Sequence, residues 1–359
     1  MNKRKIINDP VYGFISIPTE LIFDLIEHAY FQRLGRIKQL GLTYLVYPGA
    51  QHTRLQHALG AMHLMTQALE VLRSKGALIS GEEAEAVTIA ILLHDIGHGP
   101  FSHTLEKLLI KGTSHEQLSI RMMEALNNTF DGKLGMALNI FRGQYSKPFL
   151  HQLVSSQLDM DRLDYLNRDS FFTGVAEGVI GYDRIIKMLT VKNNELMVES
   201  KGMYSIEKFL ISRRLMYWQV YLHKTVLAAE QMLVKIIERA NEISVKRNLE
   251  STPALSWFLN KKNAVASETS NDELLTRFSD LDDTDIISSI KMWRQDADPI
   301  LSWLSRHLLI RQLFKIELRN TPFEETELTV IRQRVLQQSN IALEDLHYFV
   351  FTGTTSNNA

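Results

Sequence analysis

Four side chains with metal-ligating chemistry stand in apolar surroundings: His57, the adjacent pair His94 and Asp95, and Asp161. The pair follows Ile89-Ala90-Ile91-Leu92-Leu93, a run suited to a helix at the centre of a protein. Burying an imidazole beside a carboxylate is costly without partners, and a shared cation removes that cost. Gly97, Gly99 and Pro100 stop the helix, so the segment should deliver two ligands to a cleft. Two imidazoles and two carboxylates suit one Mn, Fe, Zn, Co or Ni ion, with positions open for water and substrate. Singly, each residue is ordinary: a lone His is mostly structural and a lone Asp mostly caps or pairs. The order His, His-Asp, Asp with these flanks carries the reading.

A second layer surrounds them. Arg54 precedes His57 by three residues and shares its helical face, where a guanidinium suits a phosphate oxygen. Taken alone, a surface ion pair is the plainer reading of Arg54. His98, His103 and Glu106 follow the His-Asp pair, and His115 opens another helix beside Glu116. Each of these histidines could protonate a leaving phosphate oxygen, while one or two could simply hold the turn. Asp161, Tyr165 and Asp169 form one helical stripe with Arg162 beside it, and Arg213, Tyr217 and Tyr221 form another. Stripes mixing charge with tyrosine fit a dry core poorly and fit a pocket for a sugar, its base and phosphates. Lys224 extends the basic edge.

The elements that must position these groups are mainly helical. Periodicity and caps predict helices from Pro18 to about His28 and on toward Gln39, then Arg54 to Arg73 and Glu82 to Asp95. Shorter helices are predicted over Ser102–Ile110, Ser114–Asn127 and His151–Asn167, and a single long one from Ser205 to about Arg247. Thr43 to Tyr47 reads as strand-like, Val191 to Glu199 as a hairpin turning at Asn193-Asn194, and Asn260 to Asp272 as a loop. Helices resume near Glu273, His347 to Thr352 reads as a terminal strand, and Thr354 to Asn358 as a polar tail. The expected fold is therefore mostly α: a helical bundle with a small β-hairpin and a helical C-terminal region ending in a strand. Residues 1–250 are expected to form the catalytic domain and 251–359 a helical extension packed on it.

The 359 residues are 45% hydrophobic and 23% charged, with a net charge of -1 and no cysteine. Disulfides and thiolate metal sites are excluded, and no global basic field advertises duplex nucleic acid. The basic start Met1-Asn2-Lys3-Arg4-Lys5 runs into Asn8-Asp9-Pro10 where a signal peptide needs an apolar stretch, and no run is long enough to span a bilayer. A cytoplasmic protein is expected.

Several strings together resemble the HD-domain deoxynucleoside triphosphate triphosphohydrolases, in the branch that includes the sterile-alpha-motif/HD enzymes of animals. They are Phe31-Gln32-Arg33-Leu34, Lys38-Gln39-Leu40-Gly41, Tyr47-Pro48-Gly49-Ala50 and Arg54-Leu55-Gln56-His57. The most specific runs His94-Asp95-Ile96-Gly97-His98-Gly99-Pro100-Phe101-Ser102-His103. His115-Glu116-Gln117, Asp161-Arg162-Leu163-Asp164-Tyr165 with Arg168-Asp169, and Tyr221 with His223-Lys224 continue it, over about Ile7 to Leu318. The resemblance implies an HD-domain bundle whose metal ligands are His57, His94, Asp95 and Asp161. It implies triphosphate contacts at Arg54, Arg162, Tyr165 and Arg213, and sugar 3′-hydroxyl contacts at Gln39 and Asp169. Tyr221 would pack on the sugar and leave no room for a 2′-hydroxyl, with Leu40 and Tyr217 completing the substrate pocket. His98, His103, Glu106 and His115 match the catalytic and phosphate-binding positions.

The implied reaction converts a dNTP, dGTP favoured, to deoxynucleoside and inorganic triphosphate, with Mn, Fe or Zn at the site and Mg on the triphosphate. Activation by a nucleotide effector, a homo-oligomer built from dimers and weak single-stranded nucleic-acid binding are family-type expectations. Leu222 stands where the animal enzyme has an amide, and Glu27 and Gly35 stand where its effector region has an acid and an arginine. Another HD phosphohydrolase, such as a nucleoside monophosphatase or a phosphodiesterase, is the alternative enzyme, and a nucleotide-sensing or single-stranded nucleic-acid-binding module the alternative without turnover.

Overall fold

Helix starts are written locally in this chain. Thr19, Ser80, Ser114 and Asp159 each accept a backbone N–H in the first turn that follows them. At Ser80 and Ser114 the third helical residue, Glu83 or Gln117, reaches back to complete a capping box. The computed structural model describes residues 5–110, 112–260, 271–338 and 341–355, with residues 102, 103, 107, 260 and 271 described by backbone alone.

In chain order, an antiparallel hairpin of β1 (Ile6–Asp9) and β2 (Gly13–Ser16) precedes α1 (Glu20–Glu27) and α2 (Ala29–Gln32). The central helices follow: α3 (Arg54–Ser74), α4 (Gly81–Leu93), α5 (Ser102–Leu109), α6 (His115–Thr129), α7 (Gly135–Phe141), α8 (Pro148–Val154) and α9 (Met160–Thr173). After α10 (Tyr182–Met188), the strands β3 (Leu189–Lys192) and β4 (Glu195–Val198) pair across Asn193 and Asn194, both with positive φ. Then come α11 (Met203–Met216), α12 (Lys224–Lys246), α13 (Pro253–Asn260), α14 (Asn271–Asp280), α15 (Asp283–Trp293), α16 (Pro299–Leu309) and α17 (Glu325–Gln338).

The α3 helix is the axis of the site region and packs against both α4 and α9. Gly60 makes the second contact close. A Cβ there would lie 2.0 Å from Asp164 Oδ1 and 2.2 Å from Arg168 Nη2, so no side chain fits between the helices. Gly97 does the same for the turn after α4, whose backbone lies against α6: an added Cβ would sit 2.3 Å from the His115 carbonyl oxygen. Fully buried Ile89, Ile91, Leu92 and Leu93 make α4 apolar all round, as a central helix must be. At the far end, α12 packs on α5, α13 and α16.

The mostly α architecture with a small hairpin holds. Several local expectations do not. No strand forms over His347–Thr352; Leu343–Tyr348 is a 3-10 turn, because Tyr348 is buried and Phe349 and Phe351 pack against Trp303 and Phe314 instead of extending to an edge. The long helix from Ser205 is broken: Tyr217–Tyr221 is a π-turn, and extended His223 caps a new helix by accepting from the Thr225 amide. Thr43–Tyr47 lies in and just after a 3-10 turn (Gly41–Leu45), not a strand. His151–Asn167 is two helices, divided where Ser155 is extended and Asp159 starts α9. The β1–β2 hairpin was not expected. Of the predicted loop, residues 261–270 lie outside the described residues, and Asn271 already belongs to α14. Residues 1–4 of the basic start and 356–358 of the polar tail also lie outside them. Among the described residues, no helix is long and apolar enough to cross a membrane.

Candidate metal centre and substrate pocket

Three helices converge on one point. His57 stands in the second turn of α3, His94 is the C-cap of α4, and Asp161 lies in the first turn of α9. His57 Nε2 is 3.2 Å from Asp161 Oδ1 and 3.3 Å from His94 Nε2, and His94 Nε2 is 3.5 Å from Asp161 Oδ1. The other ring nitrogens fix the tautomers. His94 Nδ1 faces the Ile91 carbonyl at 2.6 Å and His57 Nδ1 faces Asp164 Oδ2 at 2.7 Å, and both oxygens can only accept. The Nδ1 atoms therefore carry hydrogen, and in the neutral rings the two Nε2 lone pairs face each other beside a carboxylate. That donor set suits a divalent cation, and the three residues could hold one.

The electrostatics agree. Burial opposes a charge on His57, but Asp161 and Asp164 outweigh it and lift the ring to about 10. Burial likewise opposes charge on His94, and Asp95 and Asp161 raise it nonetheless. Asp161 is penalised by burial, yet His57 and His94 hold its carboxyl below the usual range. The cluster attracts positive charge.

Asp95 sits at the edge of this triad. Its Oδ1 is 3.3 Å from His94 Nε2 and 3.3 Å from His98 Nε2, and its Oδ2 accepts from Arg54 Nη1 at 2.5 Å. His98 is held well below the usual histidine range by burial and by Arg54, against Asp95. Its ring stacks on His115, with centroids 4.0 Å apart. Glu106 Oε1 accepts from the His115 amide at 2.7 Å and faces its Nδ1 at 3.1 Å. Glu106 thus partners His115; His103, three residues before Glu106, lies on α5 with its side chain outside the described residues. The turn itself is pinned. Ser119 donates to the His94 carbonyl and accepts from Gly97, and the Arg33 guanidinium donates to the carbonyls of Ile96 and His98. Asp283 of α15 accepts from the amide of Phe101, whose φ is 50°.

A cluster of tyrosines adjoins the triad. Tyr165 is raised by burial and by the charge of Asp161, with Tyr217, Arg213 and Arg162 also close enough to act on it. Tyr217 and Tyr165 each meet Tyr221 edge-on. Tyr221 donates to Asp169 Oδ2 at 2.7 Å, and His52 Nε2 holds the other oxygen at 2.8 Å. Arg162 pairs with Asp159, whose carboxyl is pushed up to about 7 by burial and by Asp161 despite that arginine. Arg213 Nη1 donates to Gln157 Oε1 at 3.2 Å. Gln39 binds the His52 carbonyl through its backbone, its side-chain oxygen is buried without a partner among the described residues, and Leu40 is half-buried beside it.

The HD domain model matches residues 54–166, which contain the triad and Asp95, and the model of an HD-associated region matches residues 180–256. A solved phosphohydrolase from Bacteroides thetaiotaomicron is 52% identical, with a TM-score of 0.94 over 96% of this chain and 86% of that one. The chain belongs to the HD phosphohydrolase family. The uncharacterized protein YwfO of Bacillus subtilis is 32% identical over 88% of this chain and 72% of its own length. Human deoxynucleoside triphosphate triphosphohydrolase SAMHD1 is 28% identical over 88% of this chain. The chain spans 55% of that enzyme.

Several residues of this HD site were not singled out from sequence. Asp164 orients His57 and is one turn beyond Asp161 on α9, so its spacing could have marked it. His52 reaches Asp169 across 117 residues, a pairing no local pattern records. Asp159, Gln157 and Asp283 are likewise defined only by the fold, and Arg33, part of the string Phe31-Gln32-Arg33-Leu34, gains its contacts to the turn only there.

Proposed function

We propose that the chain hydrolyses deoxynucleoside triphosphates to deoxynucleoside and inorganic triphosphate. The observation that carries this reading is the His57–His94–Asp161 triad beside a cluster that combines arginines with Tyr165, Tyr217 and Tyr221. A bound divalent cation would supply Lewis-acid polarisation of a phosphoryl oxygen and lower the pKa of water. Arg54, Arg162 and Arg213 neutralise the triphosphate, and Mg arriving with the substrate would share that charge. Their carboxylate and amide partners hold these side chains near the triad before substrate arrives. His115, oriented by Glu106, donates the proton that the leaving 5′-oxygen needs. Neutral, stacked His98 keeps the face of that ring in place. Asp169, gripped by His52 and Tyr221, accepts the sugar 3′-hydroxyl with Gln39, and the Tyr221 ring excludes a 2′-hydroxyl.

Support for the substrate class comes from the likeness to the animal triphosphohydrolase, and dGTP is the substrate we favour. Nucleotide activation and a dimer-built assembly belong to the same reading. So does a division into residues 1–250 and 251–359, supported by the packing of α12 on α13 and α16. The test is product analysis with Mn²⁺ and Mg²⁺ on each dNTP, alone and in pairs. Inorganic triphosphate is expected, and it should vanish in His94→Ala. Release of pyrophosphate or monophosphate would point to another HD phosphohydrolase and overturn the assignment.

A further inference from the structure

The orientation of His57 does not end at Asp164. Asp164 Oδ2 also accepts from Arg168 Nε at 2.9 Å, and its Oδ1 from Arg168 Nη2 at 3.0 Å. Arg168 then turns its other side to Asp9, donating from Nη1 to Oδ2 at 2.8 Å and from Nη2 to Oδ1 at 3.4 Å. Asp9 closes the β1–β2 turn, where its Oδ1 accepts from the amides of Val11 and Tyr12. The Tyr12 ring lies 5.5 Å from the same guanidinium. The side chains of His57, Asp164 and Arg168 are fully buried and that of Asp9 is 4% exposed. The whole chain of contacts is dry.

We propose that Asp9 is a positioning residue for His57, acting through Arg168 and Asp164, so that the N-terminal hairpin sets how tightly the cation is held. The argument is one of charge and geometry. A buried guanidinium must satisfy its N–H donors on both edges. With Asp9 present, one carboxylate takes each edge, and Asp164 stays square to both Arg168 and His57. Without it, Arg168 has one buried anion to turn to, and that anion is the group that orients a metal ligand. Groups behind a histidine ligand in this way typically change metal affinity 10- to 100-fold when replaced. The turn and the metal are then thermodynamically linked, and each must strengthen the other by the same factor.

This inference rests on the metal reading of the triad and not on the substrate. The experiment titrates the metal-stripped full-length protein with Co²⁺, read by visible absorption, and follows amide exchange with and without the ion. Asp9→Asn keeps an oxygen for the turn amides and removes the charge. It should weaken Co²⁺ binding tenfold or more while the far-ultraviolet circular dichroism is unchanged. In an Arg168→Met background the same change should have no further effect, because the link is already cut. In the wild type, Co²⁺ should slow exchange at Val11 and Tyr12. Unchanged affinity in folded Asp9→Asn, or exchange at the turn that ignores the ion, would overturn the proposal. Additive losses in the double variant would assign Asp9 a merely structural role. A wild-type protein that binds neither Co²⁺ nor Mn²⁺ would remove the metal reading itself, and this inference with it.

Discussion

At the scale of single residues, the proposed reaction assigns proton transfer and sugar recognition to different groups. The Glu106–His115 contact places a carboxylate on one ring nitrogen, which suits the other to hold a transferable proton. His115→Ala should lower kcat by about 10²–10⁴-fold with little change in KM, and Glu106→Gln by less, as steady-state assays on the favoured dNTP would show. The hydroxyl of Tyr221 and its proposed steric role can be tested apart. Tyr221→Phe removes the hydroxyl donated to buried Asp169 and should cost about 1.5–3 kcal/mol in urea denaturation while leaving ribonucleotides excluded. Tyr221→Ala should admit GTP as a substrate. Turnover of GTP by the wild type would remove the steric account.

At the scale of elements, the approach of α3 to α9 sets the distance between the ligands, and Gly60 permits it. Gly60→Ala should destabilise the protein by about 1–3 kcal/mol despite the better helix propensity of alanine. It should also weaken metal binding, since Asp161 and Asp164 would move away from His57 together; thermal denaturation and metal titration read the two effects. The triad was legible in the sequence because the order His, His-Asp, Asp comes with apolar flanks, a pattern that the single residues do not make. The residues behind it were not. Asp9 and Arg168 are 159 positions apart, and an arginine between two acids looks like any solvated charge until the fold buries it. The π-turn was hidden for another reason: Arg213, Tyr217 and Tyr221 keep a four-residue spacing that an unbroken helix would also satisfy. The terminal strand failed because aromatic residues favour extended chain only where an edge is available, and here they pack on other rings.

At the scale of the whole molecule, α12 joins the pocket region to the C-terminal helices. Its Glu230 shows how tightly. Burial pushes that carboxyl up to about 7, against a hydrogen bond from Thr104 of α5. A folded pKa above the unfolded value means that the native state holds a proton the unfolded chain has lost between about pH 4.5 and 7. Stability from this group must therefore fall as pH rises through that window and stay low above it. Glu230→Gln should remove the slope and raise stability above pH 7 by roughly 2–3 kcal/mol, measured by denaturant titration across pH. With 23 residues, α12 is a stiff rod about 35 Å long. A strut packed on α5, α13 and α16 ties the helices on either side of it together, so calorimetry should record one melting event, and Co²⁺ bound at the triad should delay the collapse of helices it never touches.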